Sequence, residues 1–347
     1  MKINRRTLVK GIGSLPAILA APSLVRAQDK PERITVTAFG GVYEKGMREV
    51  YAEDFTKKTG IKVDLALGAP FQWFSQIEAS RAKPPYDVVL CGVNFLPDLA
   101  KKGLFEEVSN GNLTNLKDIP QQFIDMAGGV GVGLNYGCSG LTYNKNQISN
   151  PPKSYKEFID RTIAGEWVAS IPSINEPTCH SNLIYNLNDV LGGTIDDITP
   201  VIEAVKAMRK NLVFWTNMTD FLLHMKSGDA DIGIYGDGRT WAEHAAGSTY
   251  LDFINPTEGG ILAPAAVLKP KNSNPWGWQF IDVMLDPINQ AQFAERLYYG
   301  MSNSKVVYPE SVKSKITSWD KTRFPPVGEI SARIPAWTER WNREIGA

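Results

Sequence analysis

Apolar and polar residues along this chain switch between a period of two and a period near 3.6, and the switches mark strands and helices in turn. Ile34-Thr35-Val36-Thr37-Ala38-Phe39 is an apolar and β-branched run stopped by Gly40-Gly41, which predicts a strand ending in a turn. Tyr43 to Lys58 carries apolar residues at helical spacing up to Thr59-Gly60, and Ile61 to Leu67 is strand-like again. Strand, helix, strand over this distance is a βαβ unit, whose parallel strands need a covering crossover. The pattern recurs as a helix from Phe71 to Ala82, a buried strand from Tyr86 to Leu90 and a helix from Asn94 to Lys102.

The middle of the chain changes character. Gly129 to Tyr136 and Gly140 to Asn144 are two extended stretches with a break between them, as expected for chain crossing between two lobes. Pro151-Pro152 signals a turn, and Ser154 with Glu157 three residues later signals a capped helix start. Trp167 to Ile171 and Asp231 to Tyr235 are strands of a second lobe, with helices from Thr199 to Lys210 and from Asp220 to Lys226. From Pro256 the chain returns to the first lobe, through extended Gly260 to Leu268 and helices from Pro275 to Leu285 and Asn289 to Leu297. In the mixed tail, Trp337 and Trp341 lie four apart on one helical face, which suits core or inter-lobe packing. The predicted fold class is α/β, two lobes with mixed central sheets and crossing hinge strands. The expected boundaries are 28–139 with 257–310 for the first lobe and 140–256 for the second, with 311–347 as a helical segment packing on both.

The first 27 residues carry a different pattern. Lys2, Arg5, Arg6 and Lys10 form a basic start without acidic residues, followed by the apolar stretch Gly11 to Leu24 and the small-residue site Val25-Arg26-Ala27. This is an export signal, and Arg5-Arg6 gives it a twin-arginine character. A membrane anchor is the alternative, but the apolar run is shorter than the ~20 residues of a spanning helix. Cleavage after Ala27 removes five basic residues and no acidic one, leaving 32 basic against 37 acidic. That balance gives no support to a nucleic-acid partner. The expected location is the periplasm, with the twin-arginine machinery as export partner.

Candidate chemistry is sparse. Cys91, Cys138 and Cys179 form no C-x-x-C pair, and His180, His224 and His244 form no metal-ligand cluster, so neither metal nor cofactor is expected. No Gly-x-Ser-x-Gly elbow or Walker loop occurs, and an enzyme is not expected.

Lys226-Ser227-Gly228-Asp229-Ala230-Asp231-Ile232-Gly233 resembles the bacterial extracellular solute-binding proteins, especially the spermidine/putrescine-binding type. Thr59-Gly60-Ile61-Lys62-Val63, Tyr86-Asp87-Val88-Val89, Pro152-Lys153-Ser154-Tyr155, Pro256-Thr257-Glu258-Gly259 and Leu285-Asp286-Pro287 follow in the expected order across nearly the whole mature chain. The resemblance implies two α/β lobes closing on a small molecule, which is then delivered to an inner-membrane ABC permease and its ATPase.

Binding residues of α/β sheets gather beyond the carboxyl ends of strands. Phe39, Gly40, Gly41 and Tyr43 occupy one such end, Asn94 another, and Tyr235, Asp237 and Arg239 a third. Asp237 falls where polyamine binders place a carboxylate; helix capping is its other reading. Arg239 can hold a ligand carboxylate, neutralise Asp237 or face water. Trp73, Tyr136 and Tyr299 are candidate aromatic walls, Asn175 a candidate polar contact, and Tyr299 with Asn303 matches the family's C-terminal binding segment. The positions expected to be acidic in polyamine binders are Gly41 and Ala265, so a long diamine finds one anchor instead of two. The expected ligand is a small polar, nitrogen-containing solute, amine or polyamine-like. An amino acid or an aromatic or aliphatic carboxylate is the alternative, as is a sensory receptor role.

Overall fold

The computed structural model describes residues 30–109 and 111–346. The predicted export signal, with Arg5-Arg6, lies outside the described residues. Eleven strands run in the order β1 Arg33–Ala38, β2 Lys62–Leu67, β3 Val89–Gly92, β4 Val132–Asn144, β5 Ala169–Pro172, β6 Leu212–Trp215, β7 Ile232–Gly236, β8 Leu251–Ile254, β9 Gly260–Leu268, β10 Gly300–Met301 and β11 Thr322–Arg323.

β1 and β2 pair in parallel, with Ile34 opposite Val63, around a helical crossover from residue 42 to 59. The crossover follows the predicted apolar period, and its middle, Met47–Ala52, is wound as a π-helix. The strand expected from Tyr86 starts later. Val88 makes a single parallel bridge to Val36, and regular pairing begins at Val89 on β9. Asp87 instead fastens two separate segments, its carboxylate accepting the Thr35 amide at 2.8 Å and the Asn274 amide at 2.9 Å.

The other nine strands form one mixed sheet along β11-β9-β4-β7-β5-β6, with β3 on β9 and with β8 and β10 on β4. β4 is one strand where the sequence suggested two, and the irregularity is a register shift between Gly133 and Asn135. Its first half, with Val132, Leu134 and Tyr136, packs in a core with Ile34, Val36, Phe55 and Phe293. Its second half, with Leu141 and Tyr143, packs in another core with Phe158, Ile171, Ile234, Trp337 and Trp341. Gly137 to Gly140 therefore spans the passage from one lobe's core to the other's. The two tryptophans of the helix Val327–Glu344 resolve to second-lobe core.

Local signals hold at several starts. Ser154 caps Tyr155–Ile163 by accepting the Glu157 amide, while the Glu157 carboxylate accepts the Lys153 amide. Asn217 and Asp220 form a full capping box for Met218–Ser227. All three cysteines are buried free thiols, and burial pushes each above its ordinary pKa. Among the described residues, no helix is long and apolar enough to cross a membrane.

Candidate functional site

The carboxyl ends of β1 and β3 in one lobe, and of β5, β6 and β7 in the other, present the loops that can reach a shared ligand. At the end of β1, Phe39 is followed by the exposed Gly40-Gly41 pair. The Phe39 ring meets Tyr43 edge-on at 5.3 Å between centroids and lies 6.1 Å from Trp73. Tyr43 in turn packs edge-on against Phe293 at 5.2 Å and lies 6.3 Å from Tyr299. Its hydroxyl donates to Asn135 Oδ1 on β4 at 2.7 Å. Phe39, Tyr43, Trp73 and Tyr299 thus form one contiguous aromatic surface. Trp73 is 2% exposed and anchors it, whereas Phe39 and Tyr299 keep accessible area.

Two glycines make room for Tyr299. A Cβ on Gly238 would lie 2.6 Å from Tyr299 Cε1, and one on Gly137 would lie 3.2 Å from the same atom. The ring therefore rests directly on the crossing strand and on the start of the helix Asp237–Ala245, and any side chain at Gly238 would displace it.

Asp237 lies deeper than Arg239. Its carboxylate is 2% exposed, and Oδ1 accepts the Cys138 amide at 2.8 Å and the Gly238 amide at 2.7 Å. Burial raises its pKa to about 7, against the pull of these amides and of Thr317. The group is built into the junction of β4 and the helix start, with Oδ1 taken up by the two amides. Arg239, two residues on, is exposed and has no acidic partner within 4.0 Å among the described residues. Burial pushes the Tyr235 and Tyr299 hydroxyls up, and the Arg239 charge pulls both back down.

Three further candidates pack inward. Tyr235 stacks on Phe221 at 4.1 Å and donates its hydroxyl to Met218 O, so its ring is second-lobe core. Tyr136 stacks on Phe123 at 5.7 Å within the first core. Asn303 is buried, donating to Leu285 O and accepting the Lys305 amide, and it serves a turn. Asn94 and Asn175 are exposed just after β3 and β5, where they remain reachable.

Sequence reasoning missed a polar group at the ends of β5 and β6. The Ser173 amide donates to Trp215 O at 2.8 Å, yet Ser173 Oγ and Trp215 Nε1, both buried, have no partner among the described residues. Orphaned buried donors are rare and call for an explanation. Beside them the buried Glu176 carboxylate accepts the Thr178 amide at 2.8 Å and its hydroxyl at 2.5 Å, while burial raises its pKa. The signal in the sequence was Ser173-Ile174-Asn175-Glu176 directly after a strand. A hollow of about 470 Å³ elsewhere is lined by Phe55, Lys58, Asn115 and Asp282 on outer helices. Asn115 and Asp282 bond each other there, and no strand-end loop reaches it, so the strand ends remain the candidate site.

A family profile described as bacterial extracellular solute-binding protein matches residues 83–324. The chain belongs to this family. A structure from Bordetella parapertussis, described as an extracellular solute-binding protein, is 28% identical, with a TM-score of 0.82 over 90% of this chain and 99% of that one. The agropinic acid complex of AgtB from Agrobacterium tumefaciens R10, at 18% identity, shares the fold with a TM-score of 0.70 over 91% and 99%. A thiamine-binding periplasmic protein of Brucella abortus is 27% identical over 47% of this chain and 48% of its own. The match thus spans about half the length of the curated relatives. Membership in this family of solute-binding proteins carries the periplasmic location and a non-catalytic role. These matches reach the broad family and not a polyamine-binding branch of it.

Proposed function

We propose that this solute-binding protein is the receptor of an ABC importer, capturing a small polar, nitrogen-containing solute in the periplasm and delivering it to an inner-membrane permease and its ATPase. The contiguous aromatic surface of Phe39, Tyr43, Trp73 and Tyr299 at the strand ends carries this reading. Such a surface offers flat area to a small ligand, while a few convergent polar groups fix its orientation. Ser173 and Arg239 supply those groups from the second lobe, while Trp215 packs behind them on Phe221 and Tyr235. In this reading the lobes are 28–139 with 257–310 and 140–256, and they close about β4 and β9. A solute favours closure by as much as it binds the closed form better than the open one. The relatives named for thiamine, a nitrogen heterocycle, support a nitrogen-containing ligand, and the basic start with Arg5-Arg6 supports folded export through the twin-arginine route.

Thermal-shift screening against amino acids, amines, thiamine and small carboxylates, followed by calorimetry on each hit, tests the proposal. A hit should bind with low-micromolar or better affinity and lose roughly tenfold or more on Phe39→Ala, since an aromatic contact contributes ~1 kcal/mol beyond its buried area. Hits that bind Phe39→Ala as tightly as the wild type would place the ligand elsewhere.

A further inference from the structure

We infer that the solute carries a carboxylate, and that Arg239 is the group that holds it; this rests on the reading of the strand ends as the solute site. Three observations converge. Arg239 is an exposed guanidinium on the helix that begins at the end of β7, and no carboxylate among the described residues pairs with it. Asp237, the acid closest to it in sequence, is committed to the amides of Cys138 and Gly238 and is enclosed by protein. Gly238, the residue before Arg239, packs against Tyr299, which faces Tyr43 of the aromatic cluster, so the chain brings Arg239 to the edge of that cluster.

The charge logic then runs opposite to that of a polyamine site. Gly41 and Ala265 bring no acid, Asp237 is occupied, and the one acid at the β5 end, Glu176, is held by Thr178. A diamine entering the site would meet a guanidinium without an ion-pair partner among the described residues, and the other acid of the Arg239 helix besides Asp237 is Glu243, one turn further from the end of β7. A carboxylate would meet a planar donor able to give two parallel hydrogen bonds, strengthened as the closing lobes exclude water. Its amine or ring nitrogen would still have Ser173 Oγ as an acceptor.

The test is calorimetry on the hits of the solute screen, with wild type, Arg239→Gln and Arg239→Lys. Arg239 is exposed, so the variants should unfold at the wild-type temperature. The expected hits carry a carboxylate, lose at least about 30-fold in affinity on Arg239→Gln and recover part of it on Arg239→Lys. Binding of thiamine, 1,4-diaminobutane or another amine without a carboxylate overturns this inference and leaves the receptor reading intact. So does a carboxylate ligand whose affinity Arg239→Gln leaves unchanged. A screen in which no small solute binds overturns the receptor reading itself.

Discussion

The two sets of strand ends obey one architectural rule and do different work. In the first lobe, the end of β1 and the helix that follows β2 present Phe39, Tyr43 and Trp73, rings packed against one another, with the Tyr43 hydroxyl already tied to Asn135. In the second, the ends of β5, β6 and β7 present Ser173, Glu176, Trp215, Asp237 and Arg239, where charge and unpaired hydrogen-bonding groups concentrate. Apolar surface gives affinity with little discrimination, because a misfit of a methylene costs only ~1–3 kcal/mol, whereas a buried polar group left unpaired rejects the wrong ligand strongly. On the proposed reading, the difference teaches that one half would provide shape and the other would select.

The largest expected effect breaks the first half. Trp73 is 2% exposed and is shared between the aromatic surface and the core containing Phe74, Ile77 and Phe105. Trp73→Ala should cost about 3–5 kcal/mol in urea unfolding, from lost burial and the cavity left behind. A loss below about 1 kcal/mol would mean that the ring is not the scaffold on which Phe39 rests. No comparable stability change is expected from the exposed second-half residue Arg239.

How far such features show in sequence depends on whether their causes are local. β9 was legible to its ends as Gly260 to Leu268, because a long apolar run between turn residues has one good solution. Ser154 was legible as a cap for the same reason, since donor and acceptor are three residues apart. Asp237 was legible as a special residue but not in its role. Whether its carboxylate meets a ligand or a backbone amide is decided by Cys138, which only the pairing of β4 with β7 brings near. Ser173 and Trp215 were invisible together because their juxtaposition comes from the parallel pairing of β5 and β6. Asn303 stood at a family binding position, yet contacts to Leu285 and Lys305 bury it in a turn.

Asp237 offers the second way to sharpen the comparison, through pH. Burial lifts its pKa to about 7 in the folded protein, from below 4 when solvated. Between those values the folded state binds more protons at Asp237 than the unfolded one does, so the stability that Asp237 contributes should be complete below about pH 4 and be lost as pH rises through 7. Asp237→Asn keeps an oxygen for the Cys138 and Gly238 amides and removes the buried charge. The variant should therefore melt a few degrees above wild type at pH 8, with the gap closing toward pH 4. Parallel melting profiles across this range would show that Asp237 is solvated, and would return it to the list of ligand anchors.

The smallest expected effect on stability is at Ser173, and it separates a structural role from a binding one. A buried hydroxyl without a partner loses its hydration on folding and regains nothing, so Ser173→Ala should leave stability unchanged or raise it by up to about 1 kcal/mol. A hydroxyl that serves only the fold would do the reverse. If the second half selects the solute, the same substitution weakens binding, because the ligand group that Ser173 Oγ meets in the closed form is then buried without a partner. Stability held or gained together with affinity lost is the signature of a group reserved for a ligand. A variant that gains stability and binds as tightly as wild type would move selection away from β5, leaving it to the guanidinium on the helix after β7.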